Sequence, residues 1–190
     1  MSYGFYFDMN TCIGCRTCQV ACKDKNDLPV GTLFRQVRTF ETGEFPAAKF
    51  YHYSSTCNHC ETPACVTACP QGAMYKDEET GAVLHDDEVC IGCQMCVEAC
   101  PYGVPQYMED LSLVHKCDMC IEQIRNGENP VCVDACIMRC LEWGDFDELK
   151  AAHGDAVVEI ACLPEDQTGP HTLIDPKAAA LEADFVQKLV

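Results

Sequence analysis

Apolar positions in this chain come in short bursts rather than long stripes. Tyr3–Phe7 is one such run and Val83–Leu84 another, and each leads into a tight turn built around cysteine. Runs of this length, apolar or alternating, read as small strands. After each turn comes a helical signal of one turn only. The pattern C-V-x-A-C occurs at Cys65–Cys69, Cys96–Cys100 and Cys132–Cys136, with Cys18-Gln19-Val20-Ala21-Cys22 as a variant. A spacing of four puts the two cysteines on the same side of a helix while Val and Ala pack it. The repeating unit is therefore strand, cysteine-rich loop and short helix, which makes the chain α+β and loop-rich.

Two stretches fall outside this unit. Residues 23–56 carry Gly31, Gly43 and Pro46 among polar residues together with Phe34, Phe40, Phe45 and Phe50, and read as an ordered insertion containing a strand or hairpin. From Leu163 onward, Pro164, Gly169, Pro170 and Pro176 punctuate an extended tail, and the pattern predicts a helix over Ala178–Leu189. A tail of this kind needs a surface to lie on.

Self-similarity organises the sequence further. Shifting residues 7–22 by 78 positions lays Asp8 on Asp86, Cys12-Ile13-Gly14-Cys15 on Cys90-Ile91-Gly92-Cys93, and Cys18, Ala21 and Cys22 on Cys96, Ala99 and Cys100. The chain holds 18 cysteines in 190 residues, which restricts it to a disulfide scaffold, zinc modules or iron–sulfur clusters. Sixteen of them form four groups: Cys12, Cys15, Cys18 and Cys22; Cys57, Cys60, Cys65 and Cys69; Cys90, Cys93, Cys96 and Cys100; Cys117, Cys120, Cys132 and Cys136. Two-residue gaps let a short loop wrap a cubane and offer three thiolates to one cluster, while the fourth cysteine, a turn further on, points elsewhere; in two-cluster ferredoxins it binds the other cluster.

Tetrahedral zinc is served by two pairs and has no use for the third and fourth cysteines of each group. A disulfide scaffold belongs to exported chains, and Met1–Asp8 has neither a basic region nor an apolar stretch nor a cleavage site. Pro70 and Pro101 complete the C-P ending of the bacterial ferredoxin run. Small or apolar neighbours, among them Gly14, Ile91, Gly92 and Val133, leave backbone N–H groups free to face sulfur and keep water away.

The charge balance narrows the partners. With 13 Lys and Arg against 30 Asp and Glu, a net of -17, the chain is unsuited to nucleic acid. The acids read mainly as a solvated surface, with some steering toward a basic docking face. No apolar window reaches the roughly 18 residues of a membrane span, so membrane contact is expected only through a partner. No Ser-His-Asp set, P-loop or dinucleotide fingerprint is present, and no substrate chemistry is expected of the chain on its own.

The order of the groups, the four-residue gap in the second and the eleven-residue gap in the fourth resemble the four-cluster iron–sulfur subunit of the dimethyl sulfoxide reductase superfamily of molybdenum enzymes. Cys57-Asn58-His59-Cys60-Glu61, Pro63-Ala64-Cys65 and Lys116-Cys117-Asp118-Met119-Cys120 carry the likeness, which spans residues 3–176. It implies two bacterial-ferredoxin-like halves related by pseudo-symmetry, residues 1–22 with 105–162 and residues 57–104, separated by the 23–56 insertion and followed by a partner-docking tail over 163–190. It also implies exchanged ligands: Cys12, Cys15, Cys18 and Cys136 on one [4Fe-4S] cluster, Cys22, Cys117, Cys120 and Cys132 on the next, Cys57, Cys60, Cys65 and Cys100 on a third, and Cys69, Cys90, Cys93 and Cys96 on the fourth.

Further implications are a molybdopterin-containing catalytic partner, a membrane anchor or soluble donor, and export beside a signal-bearing partner, with cytoplasmic residence as the alternative. Equivalent subunits of formate dehydrogenases or hydrogenases, a free polyferredoxin and a zinc-stabilised scaffold are the competing readings. The intact third group predicts four tetranuclear clusters and about 16 Fe per chain. Ile137 and Lys23 depart from the pattern by standing where Pro commonly follows a group. Outside the groups, Cys140 and Cys162 read as small buried thiols, Cys140 also as an alternative ligand one turn after Cys136. His59 reads as packing beside a cluster, and Lys116 and Arg139 either as cations able to offset cluster charge or as solvated or ion-paired side chains.

Overall fold

A computed structural model describes residues 2–188. Strand β1 (Tyr3–Asp8) is the centre of a three-stranded sheet, antiparallel to β8 (Leu141–Asp145) and parallel to β9 (Thr172–Asp175). Side chains alternate across a strand, and β1 is covered on both faces. Phe5, Phe7 and the following Met9 enter the main core with Val37, Phe40, Tyr51 and Tyr53. Tyr6 points the other way, onto Phe146 and Leu149 of helix α6 (Phe146–Ala152) and Leu173 of β9. Each fully buried side chain of this size contributes roughly 1.5–3 kcal/mol, so β1 is anchored on both faces. Asp145 caps α6 by accepting from the backbone of Asp147 and Glu148.

The insertion contains the expected hairpin, β2 (Gln36–Thr42) with β3 (Lys49–Ser55). Of its aromatics Phe34 and Phe40 are buried, whereas Phe45 and Phe50 are exposed. Two small hairpins follow the cysteine loops: β4 (Met74–Lys76) with β5 (Val83–His85), and β6 (Gln106–Met108) with β7 (Leu113–His115).

The helices after the cysteine loops are short: α2 (Ala64–Thr67), α3 (Met95–Ala99), α4 (Ile121–Arg125) and α5 (Val131–Asp134). Helix α1 (Thr17–Lys25) is longer, because Lys23 has a backbone N–H and no ring to clash with the preceding turn, where a proline would end the helix. Helix α5 stops without a proline; the chain turns through Arg139 at φ 52° and enters β8. Helix α1 packs against α5, and α2 against α3.

The tail finds its surface within the chain itself. It adds β9 to β1 and, in place of the helix expected over Ala178–Leu189, makes one 3-10 turn (Ala178–Leu181) and then strand β10 (Val186–Lys188), paired with Glu41, Phe40 and Thr39 on the edge of β2. The alanines favour helix, but Ala179 and Ala180 are buried, the Ala161 N–H donates to the Ala180 carbonyl, and the open edge of β2 satisfies the following backbone. Leu189 lies outside the described residues. Among the described residues no helix is long and apolar enough to cross a membrane.

Candidate metal centres

The loops that carry the first and third cysteine groups repeat in backbone as well as in sequence. Gly14 and Gly92 have φ of 69° and 66°, and Arg16 and Gln94, each just before a helix, have φ of 63° and 62°. Two left-handed residues in three bend the chain into a bowl with its N–H groups inward. The Gly92 N–H donates to Cys90 Sγ at 3.5 Å, and the Gly14 N–H likewise reaches Cys12. A Cβ at Gly14 would lie 2.6 Å from the His52 ring, and one at Gly92 would collide with the Ser112 carbonyl oxygen, so both bowls are also closely backed.

The sixteen cysteines converge in fours across these elements. Cys12, Cys15 and Cys18 share a small apolar cavity with Cys136, which arrives from beyond α5. Cys57, Cys60 and Cys65 share another with Cys100, from the end of α3. Cys69, beyond α2, closes a third with Cys90, Cys93 and Cys96. Cys22, Cys117, Cys120 and Cys132 are mutual neighbours: burial first, then their charges acting on one another, push the Cys22 thiol well above its ordinary value. Burial, then repulsion from Cys117, raises Cys120 to about 12, and burial, then Cys57, raises Cys65 to about 12. Burial and mutual repulsion both disfavour these thiolates, and a cation bound among them would favour them.

Donors to sulfur surround the sites. Thr17 Oγ1 donates to Cys15 Sγ at 3.4 Å, Thr168 Oγ1 to Cys60 Sγ at 3.2 Å, Asn26 Nδ2 to Cys22 Sγ at 3.7 Å and the Met119 N–H to Cys117 Sγ at 3.4 Å. Cys18 Sγ and Ser54 Oγ are 3.5 Å apart. At Cys69 burial opposes ionisation, but backbone N–H groups of Gln71, Gly72, Ala73 and Met74 outweigh it and lower the thiol. No carboxylate lines any of the three cavities among the described residues. All-thiolate donor sets with N–H support suit soft metal centres such as iron–sulfur clusters.

Two buried cations lie among these sites. Lys116, singled out in the sequence, donates through Nζ to the carbonyls of Val83 and Cys117 and lines the Cys57 cavity. Arg35 carries no sequence signal beyond its apolar neighbours Phe34 and Val37, yet it is 2% exposed. Burial opposes its charge, but Cys132, Cys18, Cys117 and Cys22 outweigh that and hold the guanidinium protonated. Arg139 is exposed and donates to the Asp134 carbonyl. His59 is fully buried, and its Nδ1 accepts from the Val83 N–H at 3.0 Å, bracing β5. Cys162 is half-buried beside the Tyr51 hydroxyl, away from the four groups.

Sequence comparison adds the family. A 4Fe-4S dicluster domain matches residues 48–146 and a 4Fe-4S binding domain matches residues 9–27. The B component of the anaerobic dimethyl sulfoxide reductase of Escherichia coli (strain K12) is 43% identical, with 93% of this chain and 89% of that protein aligned. The protein belongs to the iron–sulfur subunit family of the dimethyl sulfoxide reductases. The corresponding B component of the Haemophilus influenzae reductase, another member, is 40% identical over 96% of this chain and 93% of its own length. The B component of the sulfite dehydrogenase of Allochromatium vinosum is 38% identical over 86% and 78%. Like other members of this family, the chain carries [4Fe-4S] clusters and works as an electron-transfer subunit of an oxidoreductase complex.

Proposed function

We propose that the chain relays electrons through four [4Fe-4S] clusters, one on each cysteine set: Cys12, Cys15, Cys18, Cys136; Cys22, Cys117, Cys120, Cys132; Cys57, Cys60, Cys65, Cys100; and Cys69, Cys90, Cys93, Cys96. When bound, the clusters supply one-electron carriers; the chain's residues hold them, exclude water and set their charge environment. The observation that carries this reading is the sharing of short elements between neighbouring sites. Cys18 and Cys22 sit on α1, Cys132 lies in α5 with Cys136 just beyond it, and Cys65 lies in α2 with Cys69 just beyond it. Burial, then the charge of neighbouring Cys57, raises the Cys117 thiol, so the Cys22 and Cys57 sites are neighbours. An unbroken order follows, from the Cys12 site through the Cys22 and Cys57 sites to the Cys69 site.

The packing of α1 on α5 and of α2 on α3 supports two ferredoxin-like halves, each a pair of sites with one ligand exchanged. The ends of the order are the accessible ones. Cys15 and Cys93 are the two exposed cysteines, the first near exposed Ile13 and Val20, the second near exposed Ile91 and Met95. Electrons enter at one end from a membrane anchor or soluble donor and leave at the other to a molybdopterin catalytic subunit. The compartment that suits such a chain is the outer face of the cytoplasmic membrane, reached beside a signal-bearing partner. The likeness to a sulfite dehydrogenase component favours a second reading, in which electrons run away from the catalytic subunit.

The test is Cys69→Ala. On the exchanged assignment it removes the cluster held with Cys90, Cys93 and Cys96, although Cys69 belongs in sequence to the second group, and leaves that of Cys57, Cys60 and Cys65 intact. Iron should fall by about one quarter. Removal of the Cys57-site cluster instead, seen as loss of its electron paramagnetic resonance signal, contradicts the exchange.

A further inference from the structure

The residue four places after the last cysteine of each group touches a cluster site. After Cys22 it is Asn26, which donates to Cys22 Sγ. After Cys69 it is Ala73, in the wall of the Cys69 cavity, and after Cys100 it is Val104, in the wall of the Cys57 cavity. After Cys136 it is Cys140, in the wall of the Cys12 cavity. At this one site, then, the position that elsewhere holds an amide, a methyl or an isopropyl group holds a thiol.

Cys140 is not a stray cysteine near a site. It is 4% exposed, its Sγ is 3.4 Å from Cys136 Sγ, and it shares the cavity with Cys12. It therefore lies beside two of the sulfurs that would hold the cluster at this site. Rigid elements hold it there. The Cys140 carbonyl accepts from the Asp8 N–H at 2.9 Å, the next residue, Leu141, pairs with Phe7, and Arg139 in the left-handed region turns the side chain inward. The Cys140 and Cys136 sulfurs are thus close enough to share a proton, and Cys12 lines the same cavity.

We propose that Cys140 is a reserve ligand of the cluster at the Cys12 site, able to take the iron of Cys136 when that bond opens. The step exchanges one iron–thiolate bond for another. The Fe–Sγ bond of Cys136 breaks, the Fe–Sγ bond of Cys140 forms, and the proton leaving Cys140 passes to the freed Cys136 sulfur 3.4 Å away. No electron is gained or lost and the charge of the site is unchanged. The consequence is a cluster that resists loss of one iron, the usual start of conversion to a trinuclear cluster. The proposal rests on the ligand sets assigned above.

The experiment uses the full chain in its complex, purified without oxygen, as wild type, Cys136→Ala, Cys140→Ala, the double variant and Cys100→Ala. Cys100 is the equivalent ligand with Val104 in the reserve position. Iron content and cluster electron paramagnetic resonance are read for each. Cys136→Ala and Cys140→Ala are expected to keep four tetranuclear clusters, the first with a shifted signal, while the double variant and Cys100→Ala each lose one or convert it to a trinuclear cluster. Loss in Cys136→Ala as complete as in the double variant overturns the proposal. Loss in Cys140→Ala with Cys136→Ala intact overturns it too, and with it the ligand set; retention of all four clusters in the double variant does the same.

A second measurement needs no ligand substitution. Limited ferricyanide treatment should produce several-fold more trinuclear signal from Cys140→Ala than from wild type, and equal yields overturn the proposal even if Cys136→Ala fails to accumulate.

Discussion

The guanidinium carbon of Arg35 lies 5.0 Å from the centre of the Phe5 ring, inside the protein and between two cysteine sites. Its Nη1 donates to the Ser54 carbonyl at 3.2 Å and to Ser54 Oγ at 3.1 Å, while Nε and Nη2 have no protein partner. A buried cation with two idle donors is costly unless anions surround it. On the proposed ligand sets, cluster-bound thiolates at Cys18, Cys22, Cys117 and Cys132 would be those anions.

Removing that charge should make the neighbouring clusters harder to reduce. A unit charge about 7 Å away at an effective dielectric near 20 is worth about 2 kcal/mol, on the order of 100 mV for a one-electron couple. Arg35→Gln is expected to lower the midpoint potentials of the Cys12-site and Cys22-site clusters by that order and to leave the Cys69-site cluster in place. Potentiometric titration followed by paramagnetic resonance reads it; an equal shift of all four would point to a general structural change instead.

Lys116 makes the parallel case at the Cys57 site. Its charge lowers the Cys65 thiol against the larger effect of burial. Lys116→Met keeps the apolar stem and removes the cation, so the potential of the Cys57-site cluster should fall while that of the Cys12 site holds. The same titration checks it.

Gly92→Ala tests the bowl. Left-handed backbone costs an L-residue about 1–2 kcal/mol, and here the added methyl also runs into the Ser112 carbonyl oxygen. Thermal unfolding of the cluster-loaded protein should come several degrees earlier, with bleaching of the Cys69-site cluster leading the transition. Gly31→Ala, with nothing within 4 Å, is the control for φ alone.

His171 gives stability a pH dependence. Its ring stacks on Phe146 at 4.2 Å, Nδ1 pairs with Ser2 Oγ at 3.0 Å, and Nε2 lies 3.3 Å from Glu61. Burial first, then Lys76 and Lys150, keep it neutral, and Glu61 opposes them without prevailing. Unfolded, it takes a proton near its ordinary value of about 6.5. Below that pH the unfolded state binds the extra proton, so this contribution is intact above pH 6.5 and is lost as pH falls. Melting temperature should decline more steeply between pH 7.5 and 5.5 in wild type than in His171→Gln.

Cys162→Ala should leave iron content unchanged. The thiol faces Tyr51 rather than a cysteine site, and its loss removes one small contact in the core. Colorimetric iron analysis against wild type suffices.

Local chemistry made much of this legible in advance. Cysteine spacing fixes loop and turn within a few residues, so the strands at Tyr3–Asp8 and Val83–His85 and the one-turn helices were readable from pattern, as was the hairpin in the insertion. What spacing does not encode is pairing between distant segments. The parallel match of β9 to β1 and the capture of Val186–Lys188 by β2 depend on which edges the rest of the fold leaves open, and local alanine propensity pointed the other way. Arg35 was illegible for a similar reason. A lone arginine before a strand is ordinarily a surface residue, and only three-dimensional convergence puts four sulfurs around it. Cys140 was visible as one turn from Cys136, but its fit against Cys12 comes from the β8–β1 register.

The long reach between Cys18 and Cys136 also orders events during synthesis. Residues 57–100 contain every cysteine of the Cys57 and Cys69 sites, so both donor sets are complete before Cys117 is made. The Cys12 loop emerges first of all, yet it waits for Cys136 to complete its set and for Thr172–Asp175 to seal its strand. The earliest site to appear is thus among the last to close. A nascent chain that has released Cys100 but not Cys132 would hold one pair of complete donor sets and one pair with open thiols.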